Sequence, residues 1–226
     1  MTISAVILFG SQARGDALAG SDVDLLMIAK EPRTRHVSLG SVSIFLYPWG
    51  RLLRDSRAGD LFLCHLVRES RIIYDPTKKM AALSQAFRFR DSYADEIIKA
   101  SDLGWYIARF PKSLAPPVAA KRLAWSVRTI LIARAAEQRT PCFAASALSA
   151  FSGMDEVAIL IARKEDAKIA RDSPRLLRAV LERFGAPDPL RAGSTDDYRA
   201  HFTATRNEVA LRTLDARDKS VVYQEA

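Results

Sequence analysis

The chain of 226 residues is 49% hydrophobic and 27% charged, a globular balance that excludes a mostly disordered protein. Ten Gly and ten Pro exclude a collagen-like or low-complexity chain, and the two cysteines, Cys64 and Cys142, are too few and too far apart for a disulfide framework or a zinc cluster. The net charge of +8 favours polyanionic partners such as nucleotides or nucleic acid. It is spread along the chain, +3 over residues 1–80 and +5 over 81–226, not gathered into the patch of a dedicated nucleic-acid binder. No stretch reaches the roughly 18 apolar residues of a membrane span, and the first apolar run lacks the flanks of a signal peptide. A cytoplasmic protein with reduced thiols and no membrane partner is therefore expected.

The predicted elements begin with an apolar run from Ile3 to Phe9 that ends at Gly10-Ser11 and reads as a buried strand. Val23 to Ile28, Val42 to Tyr47 and the short Arg71 to Tyr74 read as three more, bounded by Gly and Pro. A helical pattern lies between the last two, from about Leu52 to Val67. Strands stop near residue 80. Ala81 to Arg109 reads as one long helix or two, and Val118 to Arg139 as the apolar centre of a bundle, with Pro117 in its first turn. Helical segments follow near 144–151, 155–169 and 173–184, then a linker from Gly185 to Gly193 and a last helix from Thr195 to about Leu214, opened by the capping pattern Ser194 to Asp197. The expected fold is α+β: a mixed β-sheet domain over residues 1–80, followed by an all-α helical bundle over 81–226.

One stretch carries the chemistry. Phe9-Gly10-Ser11-Gln12-Ala13-Arg14-Gly15-Asp16 ends a strand and opens a short helix. Gly10 lets the backbone approach a ligand, and the amides of a helix start, with the Ser11 hydroxyl, suit a phosphate. Gly20-Ser21-Asp22-Val23-Asp24 then opens the second strand. Asp22 and Asp24 stand at i and i+2, so both carboxylates face one way, about 7 Å apart. They repel each other unless a cation sits between them, and hard oxygen donors suit magnesium, which bridges carboxylates and substrate phosphates. A phosphate cradle beside such a pair is the apparatus of phosphoryl or nucleotidyl transfer.

Gly10-Ser11-Gln12-Ala13-Arg14-Gly15, followed by Ser21-Asp22-Val23-Asp24-Leu25-Leu26, resembles the signature of the polymerase-beta-like nucleotidyltransferase superfamily. The strand pattern ending at Tyr74-Asp75-Pro76 extends the resemblance over the first third of the chain. The succession of a catalytic and a helical domain looks like the aminoglycoside nucleotidyltransferases. The resemblance implies that Asp22 and Asp24 are catalytic and ligate magnesium (or manganese), and that Gly10, Ser11, Arg14 and Ser21 serve a nucleoside triphosphate, with Arg14 near the phosphates or bracing the loop. It implies transfer of a nucleoside monophosphate to an acceptor hydroxyl on a small molecule, an RNA end or a protein, with release of pyrophosphate.

The resemblance also implies a third carboxylate, which active members usually carry on a later strand, and here the matching run Ser41 to Tyr47 has none. Ser43 is the natural occupant of that slot, and a hydroxyl is a poor metal ligand and a poor base. Glu31, Asp55 or Asp60 is left to reach in from a neighbouring segment. The missing acid motivates a second expectation, a degenerate domain that binds a protein or RNA partner as a regulator or toxin–antitoxin component. Elsewhere the expectations are plain. His65 reads as a core histidine, Lys121 and Arg128 as solvated or paired charges, and Trp49, Trp105 and Trp125 as core. Arg199, His201, Arg206 and Asn207 read as a surface cluster.

Overall fold

The computed structural model describes residues 2–164, 166–169 and 173–222, with side chains described as far as Asp215. The described chain forms two compact units, Met1–Asp91 and Ser92–Ala226. The N-terminal unit is built on a five-stranded mixed sheet of β1 (Ile3–Phe9), β2 (Val23–Ala29), β3 (Arg35–Leu39), β4 (Val42–Tyr47) and β5 (Arg71–Tyr74), ordered β3-β4-β2-β1-β5. β1 runs antiparallel to β2 and β5, β2 is parallel to β4, and β3 closes one edge antiparallel to β4.

Alternation along these strands decides what the sheet buries. Ala5, Ile7 and Phe9 of β1 share a face with Leu26 and Ile28 of β2. Onto that face pack Leu52 of α2 (Trp49–Arg57), Leu63 and Leu66 of α3 (Leu61–Glu69), and Met80 and Leu83 of α4 (Lys79–Ala86). Full burial of each such side chain stabilises the unit by about 1.5–3 kcal/mol. The packing of α4 on α2 and α3 carries the unit past residue 80 to Asp91, eleven residues beyond the change of texture in the sequence.

The single helical pattern expected over 52–67 is two helices. Gly59, at φ +68°, turns the chain between them, and a Cβ there would collide with the Arg88 carbonyl oxygen. Asp60 then caps α3, its Oδ1 accepting from the Phe62 and Leu63 amides at 2.9 and 3.1 Å. β3 has no counterpart among the expected strands. It is an edge strand with four of five residues exposed, so its apolar signal is weak.

The second unit is helical throughout its described elements: α5 (Ala94–Arg109), α6 (Pro116–Glu137), α7 (Ala145–Ser152), α8 (Glu156–Ala162), α9 (Pro174–Phe184), α10 (Thr195–Ala204) and α11 (Glu208–Val222). The stretch 81–109 is thus two helices, α4 and α5. α6 buries Leu123, Val127, Ile130 and Leu131 and packs along α5, the bundle centre its apolar sequence demands. The expected last helix breaks at Arg206, at φ +51°. There the side chain of Asn207, 1% exposed, donates to the Lys99 carbonyl at 2.8 Å. The capping box at Ser194 and Asp197 forms as the sequence indicates. Among the described residues no helix is long and apolar enough to cross a membrane.

Candidate nucleotide site

The candidate residues meet where β1 ends and β2 begins. Antiparallel pairing sets Phe9 opposite Asp24, so the turn after β1 lies against the first residues of β2. The chain leaves Phe9 through Gly10 at φ +75° into the five-residue helix α1 (Gly10–Arg14). A Cβ on Gly10 would stand 2.5 Å from Asp24 Oδ2. The backbone and the carboxylate therefore approach as only glycine permits. No side chain caps α1, which leaves its first amides without a capping acceptor. Its other end is closed by Gly15 in the left-handed region, with the Gly15 and Asp16 amides donating to the Ser11 carbonyl at 2.9 and 3.2 Å.

Asp22 is exposed and lies one residue before β2; Asp24 is half-buried. Val23 is fixed between them by its pairing with Val42 and by its amide bond to the Ser41 carbonyl at 2.8 Å. Ser21 is engaged in the preceding turn, where its hydroxyl accepts from the Leu18 amide at 2.9 Å. Across the parallel pair, Ser43 stands directly beside Asp24, and Ser38 of β3 beside Ser43. One sheet row therefore reads Phe9, Asp24, Ser43, Ser38.

The three acids available to stand in for a third carboxylate are each placed elsewhere. Glu31 follows the far end of β2, some 20 Å along the strand from Asp24. Asp55 is ion-paired with Arg51. Asp60 caps α3. Among the described residues no three His, Cys, Asp or Glu side chains gather as a metal site. Asp22 and Asp24 are then the two acids at this junction. One or two carboxylates completed by water and substrate phosphate are a donor set that magnesium accepts.

Arg14 is turned toward α3. Its Nε donates to both carboxylate oxygens of Asp16 at 3.1 Å, and its Nη1 donates to Glu69 Oε2 at 3.1 Å. The same Nη1 lies 3.3 Å from His65 Nε2, which is also 3.3 Å from Glu69 Oε2. His65, nearly buried, packs edge-on against Phe9 at 5.9 Å between ring centres. Burial alone would raise the Glu69 pKa, but its hydrogen bond to His65 and the charge of Arg14 outweigh that and hold it below the usual carboxylate value. This cluster ties the loop after β1 to α3. The neighbouring Cys64 is a buried thiol pushed up to about 11 by desolvation, so it is no nucleophile at neutral pH.

In the helical unit the cluster expected at the surface is partly internal. His201 Nε2 lies 2.7 Å from Oδ2 of Asp102, which is 1% exposed. Asn207 is the buried joint described above, whereas Arg199 pairs with the exposed Asp215. Short spacing along the sequence gave no sign of the partner on α5, 99 residues away. The tryptophans are half-buried. Trp105 Nε1 donates to the Ala186 carbonyl at 2.8 Å, and Lys79 lies over the Trp49 ring at 4.6 Å.

Residues 2–100 match the family model of the nucleotidyltransferase domain. The similarity to nucleotidyltransferase domains thus covers the N-terminal unit, over a stretch that includes the Gly-Ser and Asp-x-Asp residues of the junction just described. Among solved structures, a nucleotidyltransferase-like protein from Exiguobacterium sibiricum is similar at 14% identity, over 99% of this chain and 86% of that one, with a TM-score of 0.32. No curated protein matches the chain significantly.

Proposed function

We propose that the protein is a magnesium-dependent nucleotidyltransferase that moves a nucleoside monophosphate from a nucleoside triphosphate to an acceptor hydroxyl and releases pyrophosphate. The observation that carries this reading is the closure of the Gly10 turn on the Asp24 carboxylate. It supports a site in which phosphate-binding amides and a metal-binding carboxylate act on one ligand. Asp22 and Asp24 would hold Mg2+ or Mn2+, which when bound neutralises the triphosphate and polarises its α-phosphorus. The amides of Gly10 and Ser11 hold the outgoing phosphates. Ser21 shapes the turn that delivers Asp22. Arg14 braces α1 against α3 through Asp16, Glu69 and His65, so its contribution is to keep the cradle rigid.

ATP is the natural first nucleotide to try. The acceptor is a small molecule, an RNA end or a protein side chain. A net charge of +8 suits an anionic partner, and a cytoplasmic location suits the reduced thiols. Incubation with Mg2+ and α-labelled ATP should label an acceptor pool. Asp22→Asn with Asp24→Asn should abolish labelling and leave the fold intact; equal activity in that double variant would contradict the mechanism.

Ser43 beside Asp24 favours a second reading, a domain that has lost transfer and serves a regulatory or toxin–antitoxin role through a protein or RNA partner. Thermal stability separates the two. A ligand at a hundred times its dissociation constant adds about 2.7 kcal/mol. A magnesium-dependent shift lost in the double variant supports the enzyme, and no shift with any nucleoside triphosphate supports the binding component.

A further inference from the structure

Attack by a hydroxyl needs a proton acceptor, and the slot beside Asp24 holds Ser43. Asp55 and Asp60 are committed to Arg51 and to the α3 cap, and Glu69 to Arg14 and His65. The sheet offers another group on the same face. β3 pairs with β4 so that His36 stands opposite Phe45 and Ser38 opposite Ser43. β4 pairs with β2 so that Phe45 stands beside Leu26 and Ser43 beside Asp24. Directly paired residues share a face of the sheet, and so do residues two apart on a strand. His36, Phe45, Ser43 and Asp24 therefore lie on one face, with His36 diagonal to Ser43. Diagonal neighbours across an antiparallel pair are about 7–8 Å apart, within reach of an aromatic side chain.

The His36 ring is exposed and is held in place. It stacks on Phe45 with centroids 4.4 Å apart and planes 22° from parallel. Phe45 is itself set edge-on against Phe9 at 5.4 Å. Stacking occupies a ring face and leaves the two nitrogens at the rim. An imidazole is also the side chain best matched to proton transfer near neutral pH.

We propose that His36 is the general base of the transfer, in place of the carboxylate that Ser43 replaces; the proposal rests on the nucleotidyltransferase reading above. The acceptor oxygen bonds to the α-phosphorus as the bond from that phosphorus to the pyrophosphate oxygen breaks. The bonding pair leaves with pyrophosphate, and the acceptor proton passes to the unprotonated nitrogen of His36.

The test uses the full chain with MgATP and glycerol as the hydroxyl donor, reading pyrophosphate release and the MgATP-induced thermal shift together. His36→Ala should slow release by about 100-fold or more, keep the thermal shift, and regain at least tenfold with free imidazole. His36→Phe, which keeps the stack on Phe45, should be equally slow and should not respond to imidazole. Adding Ser43→Asp to His36→Ala places a carboxylate in the adjacent slot and should restore release. Release within about threefold of wild type in both His36 variants would overturn the proposal, as would a wild type that binds MgATP and releases no pyrophosphate. A wild type without any MgATP shift would bring down the nucleotidyltransferase reading, and this inference with it.

Discussion

In the helical unit, Asp102 is met by His201, and Asp188 is held by Arg109 Nη2 at 2.7 Å and by the Tyr198 hydroxyl at 2.8 Å. In the N-terminal unit, Asp22 lies exposed just before β2 and Asp24 half-buried within it, one residue apart in sequence. The helical carboxylates have their hydrogen-bond partners supplied by other helices and loops of the same unit, which marks them as joints. The strand-start pair is two acids close in sequence beside a glycine turn, the pair to which the proposed function assigns a cation. Asp102 and Asp188 thus serve the packing of helices, whereas Asp22 and Asp24 lie beside the glycine turn after β1.

The widest test of that contrast is Gly10→Ala. Its methyl would fall 2.5 Å from Asp24 Oδ2 on a backbone at φ +75°. Transfer should fall by at least about 100-fold, roughly 2.7 kcal/mol of barrier, with the helical unit unaffected; a labelling assay beside circular dichroism reads both. On the other side, His201→Ala leaves the Asp102 carboxylate buried and unpaired. Loss of the hydrogen bond to this buried group should cost about 1–3 kcal/mol in urea unfolding and leave MgATP binding at its wild-type value.

The two helical acids also differ in sign with pH. Burial raises the Asp102 pKa more than its bond to His201 lowers it, so its ionisation costs stability as pH rises through the raised value. Burial would raise Asp188 too, but the Leu190 amide, Arg109 and Tyr198 outweigh it. Stability from Asp188 is therefore present above the ordinary carboxylate value and lost as pH falls through the lowered one. In Tm measured against pH, Asp188→Asn should flatten the fall on the acid side, and a slope equal to wild type would remove Asp188 from this role. The smallest effect expected is from Tyr198→Phe, which deletes one hydrogen bond to Asp188 and should cost about 1 kcal/mol, seen as a lower urea midpoint at unchanged slope.

Much of the N-terminal unit is legible in the sequence because its signals are local. Apolar runs bounded by Gly and Pro gave four of the strands, and the 15 residues from Gly10 to Asp24 bring the candidate site together. The strand order sets Ser43 beside Asp24, the slot that alternation along Ser41 to Tyr47 indicates. What sequence does not carry is pairing at a distance. β3 is short, exposed and polar, so both the strand and the position of His36 became visible only through its register with β4. Arg14 bonds to Glu69 and lies against His65, each more than 50 residues on, which its local sequence does not show. In the helical unit, the bond from His201 to Asp102 and that from Asn207 to Lys99 each span about a hundred residues, which is why that cluster read as surface.

The most direct test of the division is a calorimetric titration of MgATP into wild type, Asp24→Asn and Tyr198→Phe. Binding should weaken at least about tenfold, or 1.4 kcal/mol, in Asp24→Asn and stay at the wild-type value in Tyr198→Phe. Equal affinity in wild type and Asp24→Asn would contradict it.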